Sequence, residues 1–261
     1  MQEFTSHKPG TFCWIELVTN DTEKAKKFYN ELFGWDFYDV PIGDNKFYTL
    51  CRLNGKDVAA LYGMFPEQLA MNLPPNWLPY VASNDVFYLT KVVKEHNGNV
   101  SIEPCDTMEE GISTVIQDPE GAFLGVWQAK NHIGSSYKNI HGTITWIEHA
   151  SRDSEVAIKF YGKIFNWTSK TEQMGEGQYT TFFINDEVCA GLYIMPPQLD
   201  GVPSHWLPYF FTSNIDKSLE ITNKYNGEIL MPKMFIQGVG YFAVIKDVQG
   251  AVLGLVQGEE M

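Results

Sequence analysis

Arginine is nearly absent from this chain of 261 residues: Arg52 and Arg152 are the only two. Lysine does not make up the deficit, and 19 basic against 32 acidic side chains leave a net charge of −13, an excess shared by both halves. Such a surface repels phosphate backbones, so nucleic acid is not an expected partner. Long apolar runs are missing too. Nothing approaches the roughly 18 residues of a membrane span, and no membrane partner is expected. The opening Met1-Gln2-Glu3-Phe4 has neither the basic nor the apolar region of a secretory signal. Cysteine is scarce: Cys13, Cys51, Cys105 and Cys189 show no C-x-x-C spacing. Neither a disulfide framework nor a zinc knuckle is suggested, and the expectation is a cytoplasmic protein with reduced, mostly core thiols. Finally, there is no Ser-His-Asp order, P-loop or complete dinucleotide-binding glycine pattern. Gly238-Val239-Gly240 is a lone G-x-G before a strand.

What is present is an internal repeat. Cys13-Trp14-Ile15-Glu16-Leu17 returns as Thr145-Trp146-Ile147-Glu148-His149 at an offset of 132. The match extends upstream, where Pro9-Gly10-Thr11-Phe12 meets His141-Gly142-Thr143-Ile144. Downstream, Asp21 meets Asp153, Phe28-Tyr29 meets Phe160-Tyr161, and Phe33-Gly34-Trp35 meets Phe165-Asn166-Trp167. The offset then drifts to 131 and 129, pairing Leu61-Tyr62 with Leu192-Tyr193 and Trp77-Leu78-Pro79-Tyr80 with Trp206-Leu207-Pro208-Tyr209. Asp118 and Gly121 meet Asp247 and Gly250. With 44% hydrophobic and 20% charged residues the composition is that of ordinary globular protein. A repeat of this length therefore predicts two domains, 1–132 and 141–261, each burying its own core, with 133–140 as a polar linker.

Each copy opens with an apolar strand followed at once by a capped amphipathic helix. Asn20 or Asp21 caps the first, whose Ala25, Phe28, Leu32 and Phe33 share a face before Gly34 ends it. Strand-like runs follow, with Asn54-Gly55 as a hairpin turn. After the Pro-rich Leu73-Pro74-Pro75-Asn76 the same order starts again. The fold class is α+β: two tandem domains, each a pair of βαβββ modules.

The strand followed by D-x-x-x-A-x-x-F-Y-x-x-x-F-G-W, and the closing Asp118-Pro119-Glu120-Gly121, degenerate as Asp247-Val248-Gln249-Gly250, resemble the vicinal oxygen chelate superfamily. That superfamily includes glyoxalase I, bleomycin resistance proteins and extradiol dioxygenases, and the tandem layout is similar to its two-domain glyoxalase-like members. The resemblance implies that each pair of modules forms a curved-sheet cup. In metal-using relatives it also implies His, Glu or Gln ligands on the first and last strands of each module. Those positions fall here at Trp14, Ala60, Pro79 and Gly125, and at Trp146, Gly191, Pro208 and Gly254. None of these side chains ligates a metal, so neither metal nor cofactor is expected.

Strand alternation then proposes what lines the cups. With Trp14 go Phe12 and Glu16; with Ala60 go Val58, Tyr62 and Met64; with Pro79 go Trp77 and Val81; with Gly125 go Phe123 and Trp127. The second copy offers Ile144, Trp146 and Glu148, then Tyr193 and Met195, then Trp206 and Phe210, then Val252 and Val256. The expected ligand-binding residues are thus Trp14, Tyr62, Met64, Trp77, Trp127, Trp146, Tyr193, Met195 and Trp206, with small residues leaving space between them. Glu16 and Glu148 stand out, because a carboxylate on an apolar strand is costly to bury unpaired. Two readings remain open. One is a metal-free cup that binds a small aromatic or cationic molecule; the other is a metal-independent lyase, isomerase or hydroxylase with Glu16 or Glu148 as catalytic base. A metal-dependent glyoxalase or dioxygenase is disfavoured. The partners implied are a small-molecule ligand or substrate and, at most, a second copy of the chain as a homodimer.

Overall fold

The computed structural model of the chain describes residues 3–43, 45–70, 72–175 and 177–259. The first module consists of β1 (Phe12–Thr19), α1 (Thr22–Phe33), β2 (Asp36–Pro41), β3 (Phe47–Leu53) and β4 (Lys56–Gly63). A short helix α2 (Pro66–Ala70) leads to β5 (Asn76–Ala82), α3 (Val86–Glu95), β6 (Asn99–Asp106), β7 (Gly111–Gln117) and β8 (Phe123–Ala129). The second half repeats the order. Its modules are β9 (Ile144–Ser151), α4 (Ser154–Phe165), β10 (Thr168–Met174), β11 (Gly177–Ile184) and β12 (Glu187–Ile194), then β13 (His205–Phe211), α5 (Ile215–Lys224), β14 (Glu228–Ile236), β15 (Gly240–Lys246) and β16 (Val252–Gln257). No helix among the described residues is long and apolar enough to cross a membrane.

Local chemistry sets the helix ends. The Asp21 side chain accepts from the Lys24 amide, and Gly34, left-handed at φ 71°, closes α1 by donating to the Asn30 carbonyl. At α4 the Asp153 side chain accepts from the Glu155 and Val156 amides, and Asn166, left-handed at φ 57°, ends the helix, asparagine being the residue besides glycine that tolerates this conformation.

Each half builds one eight-stranded sheet, ordered β2-β3-β4-β1-β5-β8-β7-β6 and β10-β11-β12-β9-β13-β16-β15-β14. First and last strands of a module run parallel, while β1 and β5 pair antiparallel and join the two modules. The sheets are separate, but the core is not. Each half was expected to bury its own, whereas one continuous buried cluster runs through both. Helix α1 packs on α5, α3 on α4, and β13 on β5 and β8.

The repeated residues explain this shared core. Trp35 donates its indole N–H to the Gly142 carbonyl at 2.9 Å, and Trp167 reciprocates to Gly10 at 2.8 Å. Both glycines have positive φ, and a Cβ on Gly10 would lie 2.2 Å from Ile184 Cδ1, so the recurring Gly-Thr fits this close approach. Tyr29 donates to Asp247 at 2.7 Å, and Tyr161 to Asp118 at 2.8 Å. Phe210 sits among Phe33, Trp77 and Trp35 with ring centroids 5.0, 5.1 and 5.9 Å away. The strands stop at Ala129 and resume at Ile144, and the chain between is docked rather than free. Ser135 and Tyr137 are buried, and the Ser135 and Ser136 amides donate to Cys13 and Asp57 carbonyls.

Candidate functional site

Cross-strand partners share a face of a sheet, so the register assigns the faces. In the first sheet Glu16 lies opposite Ala60 on one side and Leu78 on the other. Trp14 lies opposite Tyr80, and Tyr80 opposite Gly125. Trp14, Ala60, Leu78 and Tyr80, with Tyr48, Leu50, Val115 and Trp127, belong to a small apolar cluster distinct from the shared core. The second sheet repeats it: Glu148 faces Gly191 and Leu207, Trp146 faces Tyr209, and Tyr209 faces Gly254.

At the centre of each cup face stands the carboxylate. Tyr48 donates its hydroxyl to Glu16 Oε1 at 2.6 Å, Tyr80 donates to Oε2 at 2.7 Å, and the Trp14 indole donates to the Tyr48 oxygen at 2.9 Å. In the second half Tyr179 and Tyr209 donate to Glu148 at 2.6 and 3.0 Å, and Trp146 donates to Tyr179 at 2.9 Å. Burial raises the pKa of both carboxyls above the ordinary value, with the phenol and indole hydrogen bonds opposing it. No basic side chain contributes to either shift, and neither carboxylate forms an ion pair among the described residues. The phenols respond in kind. Tyr193 is pushed up to about 12 by burial and by Glu148, and Tyr62 is raised by burial and by Glu16.

Of the expected residues, the structure gathers Trp14, Glu16, Tyr62 and Trp127 on the first cup face and Trp146, Glu148 and Tyr193 on the second. Tyr62 and Tyr193 are the cross-strand partners of Tyr48 and Tyr179. Trp77 and Trp206 do not belong there. Both are in the shared core, donating to the Tyr29 and Tyr161 hydroxyls at 3.1 and 2.9 Å. The reason is a one-residue slip: Pro79 pairs with Ile15 and Pro208 with Ile147, both core-facing, so Leu78, Tyr80, Leu207 and Tyr209 face the cups. Phe12, Val58, Val81, Ile144 and Phe210 turn into the core as well. Register shifts beside Trp14 and Tyr209 break the alternation that would have carried Phe12 and Ile144 to the cup face. Met64 and Met195 are buried just beyond β4 and β12, outside all three apolar clusters.

The small residues do not leave the expected space. A Cβ on Gly125 or Gly254 would lie 2.3 or 2.0 Å from the ring of Tyr80 or Tyr209, and one on Gly191 would lie 1.9 Å from the Tyr179 hydroxyl. The glycines admit the tyrosines that hold the carboxylates. Tyr48, Tyr80, Tyr179 and Tyr209 were the residues missed, although the 131 offset pairs Tyr48 with Tyr179 and the W-L-P-Y repeat contains the other two.

Among the described residues the two faces differ in their covers. His132 closes over the first, its ring 4.6 Å from Trp14 and its carbonyl accepting from Trp127 at 2.8 Å. Trp14 is accordingly buried, while Trp146 is partly exposed. Two cavities of about 560 and 360 Å³ flank the N-terminal arm; Trp146 lines the larger and Trp127 the smaller.

A third cluster lies between the halves. Asp118, Glu120 and His149 bring ligand-type atoms within 4.8 Å of one another. Their oxygens are already engaged. Asp118 Oδ2 accepts from Tyr161 and lies 2.9 Å from His149 Nε2, and Oδ1 accepts the Glu120 and Ala122 amides. Glu120 accepts from Ser151, from the Arg152 and Asp153 amides and from Ser204. This arrangement clasps the two halves through saturated carboxylates, and His149 is turned to the core, away from Glu148.

Comparison with known proteins agrees with this architecture. A sequence profile described as the Glyoxalase/Bleomycin resistance protein/Dioxygenase superfamily matches residues 11–126. "Putative glyoxylase CFP32" of Mycobacterium tuberculosis (strain CDC 1551 / Oshkosh) is 34% identical over 259 residues, covering 98% of each chain. "Anthracycline biosynthesis protein DauV" of Streptomyces sp. (strain C5) is 32% identical over 169 residues, 60% of this chain and 61% of its own. Among solved structures, the Mn(II)-bound glyoxalase from Novosphingobium aromaticivorans superposes with a TM-score of 0.65 at 13% identity, over 97% of this chain and 83% of its own. Full-length similarity to a glyoxylase-named relative, two βαβββ-paired sheets and the repeated strand-helix motif place this chain in the glyoxalase/bleomycin resistance protein/dioxygenase superfamily.

Proposed function

We propose that this chain binds a small organic molecule, aromatic or cationic, at the Glu-Tyr-Tyr-Trp clusters of its cup faces, without a metal. One observation carries the reading: each half keeps a carboxylate on an apolar sheet, supported by two phenols and an indole but by no cation. The support orients the charge without neutralising it, so the counter-charge is left for a cationic ligand stacked on the neighbouring aromatic rings to supply. The naming of DauV for anthracycline biosynthesis favours a small organic ligand. The four cysteines are free thiols, which fits a reducing cytoplasm.

The donor set does not fit the metal of the glyoxalase and dioxygenase relatives. Each cup face offers one carboxylate whose oxygens are taken by phenols, beside Ala60 and Leu78 or Gly191 and Leu207, which have no ligand atom. The raised carboxyl pKa favours a second reading, in which Glu16 or Glu148 removes a proton from a bound substrate in a metal-independent lyase, isomerase or hydroxylase.

The test is a titration of the full chain and of Glu16→Gln and Glu148→Gln with aromatic amines, read by tryptophan emission beside thermal unfolding. Glutamine keeps size and most hydrogen bonding. The binding reading expects affinity to fall by about 1–3 kcal/mol with the fold intact. Unchanged affinity with a large loss of melting temperature would make the clusters purely structural. Turnover of a neutral substrate abolished by either substitution would favour the proton-transfer reading.

A further inference from the structure

The larger cavity, about 560 Å³, lies between the N-terminal arm and the second sheet, with Phe4, Thr11, Phe12, Lys138 and Trp146 in its wall. The one carboxylate in that wall, Glu187, is already paired with Lys8 at 2.6 Å. Lys138 has no such counterpart. Its ammonium donates to the Phe12 carbonyl, lies 5.5 Å from the Phe4 ring centroid, and forms no ion pair among the described residues. His7 cannot share the role of anion acceptor. Burial, helped by Lys138, lowers its pKa to about 4, so the imidazole is neutral near pH 7.

A partly buried ammonium whose neighbours are a carbonyl and an aromatic ring lacks the counter-charge that makes such burial cheap. A ligand can supply it. The rest of the wall says what kind: Phe4, Phe12 and Trp146 present apolar surface for an organic body, while the Thr11 hydroxyl is already spent on the Lys8 carbonyl at 2.7 Å. The repeat shows that the fold does not require the lysine, since continuing the 132-residue offset places Ser6 at the equivalent position. We propose that this cavity is a binding site for a small organic carboxylate, with Lys138 Nζ as the charge that recognises it. It is separate from the Glu148 cluster and meets it only through Trp146, whose ring lines the cavity while its N–H holds Tyr179.

Calorimetric titration of the full chain with acetate, butanoate and benzoate at fixed ionic strength tests the assignment, with phenyl phosphate and inorganic phosphate as the other arms. Saturable one-to-one binding is expected for at least one carboxylate, strongest for benzoate, and Lys138→Met should weaken it by about 10-fold or more, the loss of one charge-assisted contact. Lys138→Arg should retain most of it. Should the methionine variant fail to fold, the wild-type chain still decides: benzoate must protect Lys138 from acetylation by acetic anhydride, read by peptide mass spectrometry. Absence of saturation by all three carboxylates at millimolar concentration, equal acetylation with and without benzoate, or unchanged benzoate affinity in a folded Lys138→Met overturns the proposal. Binding of the phosphates alone overturns the carboxylate assignment.

Discussion

Replacing Tyr179 with Phe isolates one link of the second cluster. The hydroxyl donates to Glu148 Oε1 at 2.6 Å and accepts from Trp146 at 2.9 Å, while Tyr209 still reaches Oε2 at 3.0 Å. Loss of a hydrogen bond to a charged group costs about 1.5–3 kcal/mol. Trp146 is partly exposed, so water can satisfy its freed N–H at little further cost. The expected destabilisation is therefore about 2 kcal/mol, measured by urea unfolding at a pH where Glu148 is ionised. The pH dependence is the sharper part. The folded-state carboxyl of Glu148 is raised by burial, and the Tyr179 hydrogen bond is what most opposes that rise. A raised acid binds its proton more tightly in the folded chain, so its contribution to stability is fully present below the unfolded value and is lost as pH rises through the folded value. Removing Tyr179 raises the folded value further and enlarges that loss. The cost of Tyr179→Phe should be small while Glu148 stays protonated in the fold, up to its folded value, which lies above the ordinary 4.5, and grow as pH rises through that raised value. In Glu148→Gln the growth with pH should vanish, giving a coupling in the double-mutant cycle that itself depends on pH. A cost that is the same at all pH values and additive with Glu148→Gln refutes an ionising carboxylate at the heart of the cluster.

Phe210→Ala should destabilise the chain by about 3–5 kcal/mol in a single unfolding transition monitored by both calorimetry and fluorescence, because its ring is fully buried in the core of both halves. Segments 1–132 and 141–261, expressed separately, should lack native dispersion in proton NMR and regain it when mixed, since each exposes half of one core when alone. A cationic ligand of the cup should bind more weakly as pH falls through the raised carboxyl values of Glu16 and Glu148, because protonation removes the attracting charge. A neutral aromatic analogue should not show that loss in a parallel fluorescence titration.

The βαβββ order was legible because it rests on local signals that tertiary context rarely overrides: Asp21 and Asp153 as caps, Gly34 as a stop, Asn54-Gly55 as a turn. The placement of Glu16 beside Trp14 on one face followed from alternation within a regular stretch of β1. Alternation failed where the strand was irregular or the starting residue was wrong. The shift at Phe12 sends that ring inward, and starting from Pro79 instead of Tyr80 put Trp77 and Trp206 on the wrong side. The glycines misled for a related reason. A missing side chain predicts space only if no neighbour claims it, and the tyrosines that claim it come from other strands. Nor does a repeat reveal which surfaces of the copies meet, so one core shared by two halves could be mistaken for two.

The recurring residues prove to serve two different ends. Gly10 and Gly142, Trp35 and Trp167, Tyr29 and Tyr161, and Asp118 and Asp247 are repeated because each half offers the other the same contacts across the shared core. Glu16 and Glu148 with their tyrosines are repeated on the opposite faces, where no such contact requires them. That difference is why the carboxylate clusters, and not the larger set of repeated aromatics, carry the functional reading. The places where the copies diverge then acquire meaning of their own. Among the described residues a histidine packs on the cluster tryptophan in the first half alone, through His132 on Trp14; Lys138 stands where the other copy has Ser6, and His149 replaces Leu17 at the clasp. Exposure diverges as well: Trp146 is partly exposed where Trp14 is buried, whereas Glu16 is partly exposed where Glu148 is buried, so a duplicated scaffold presents an aromatic ring at one site and a carboxylate at the other, which favours unequal sites.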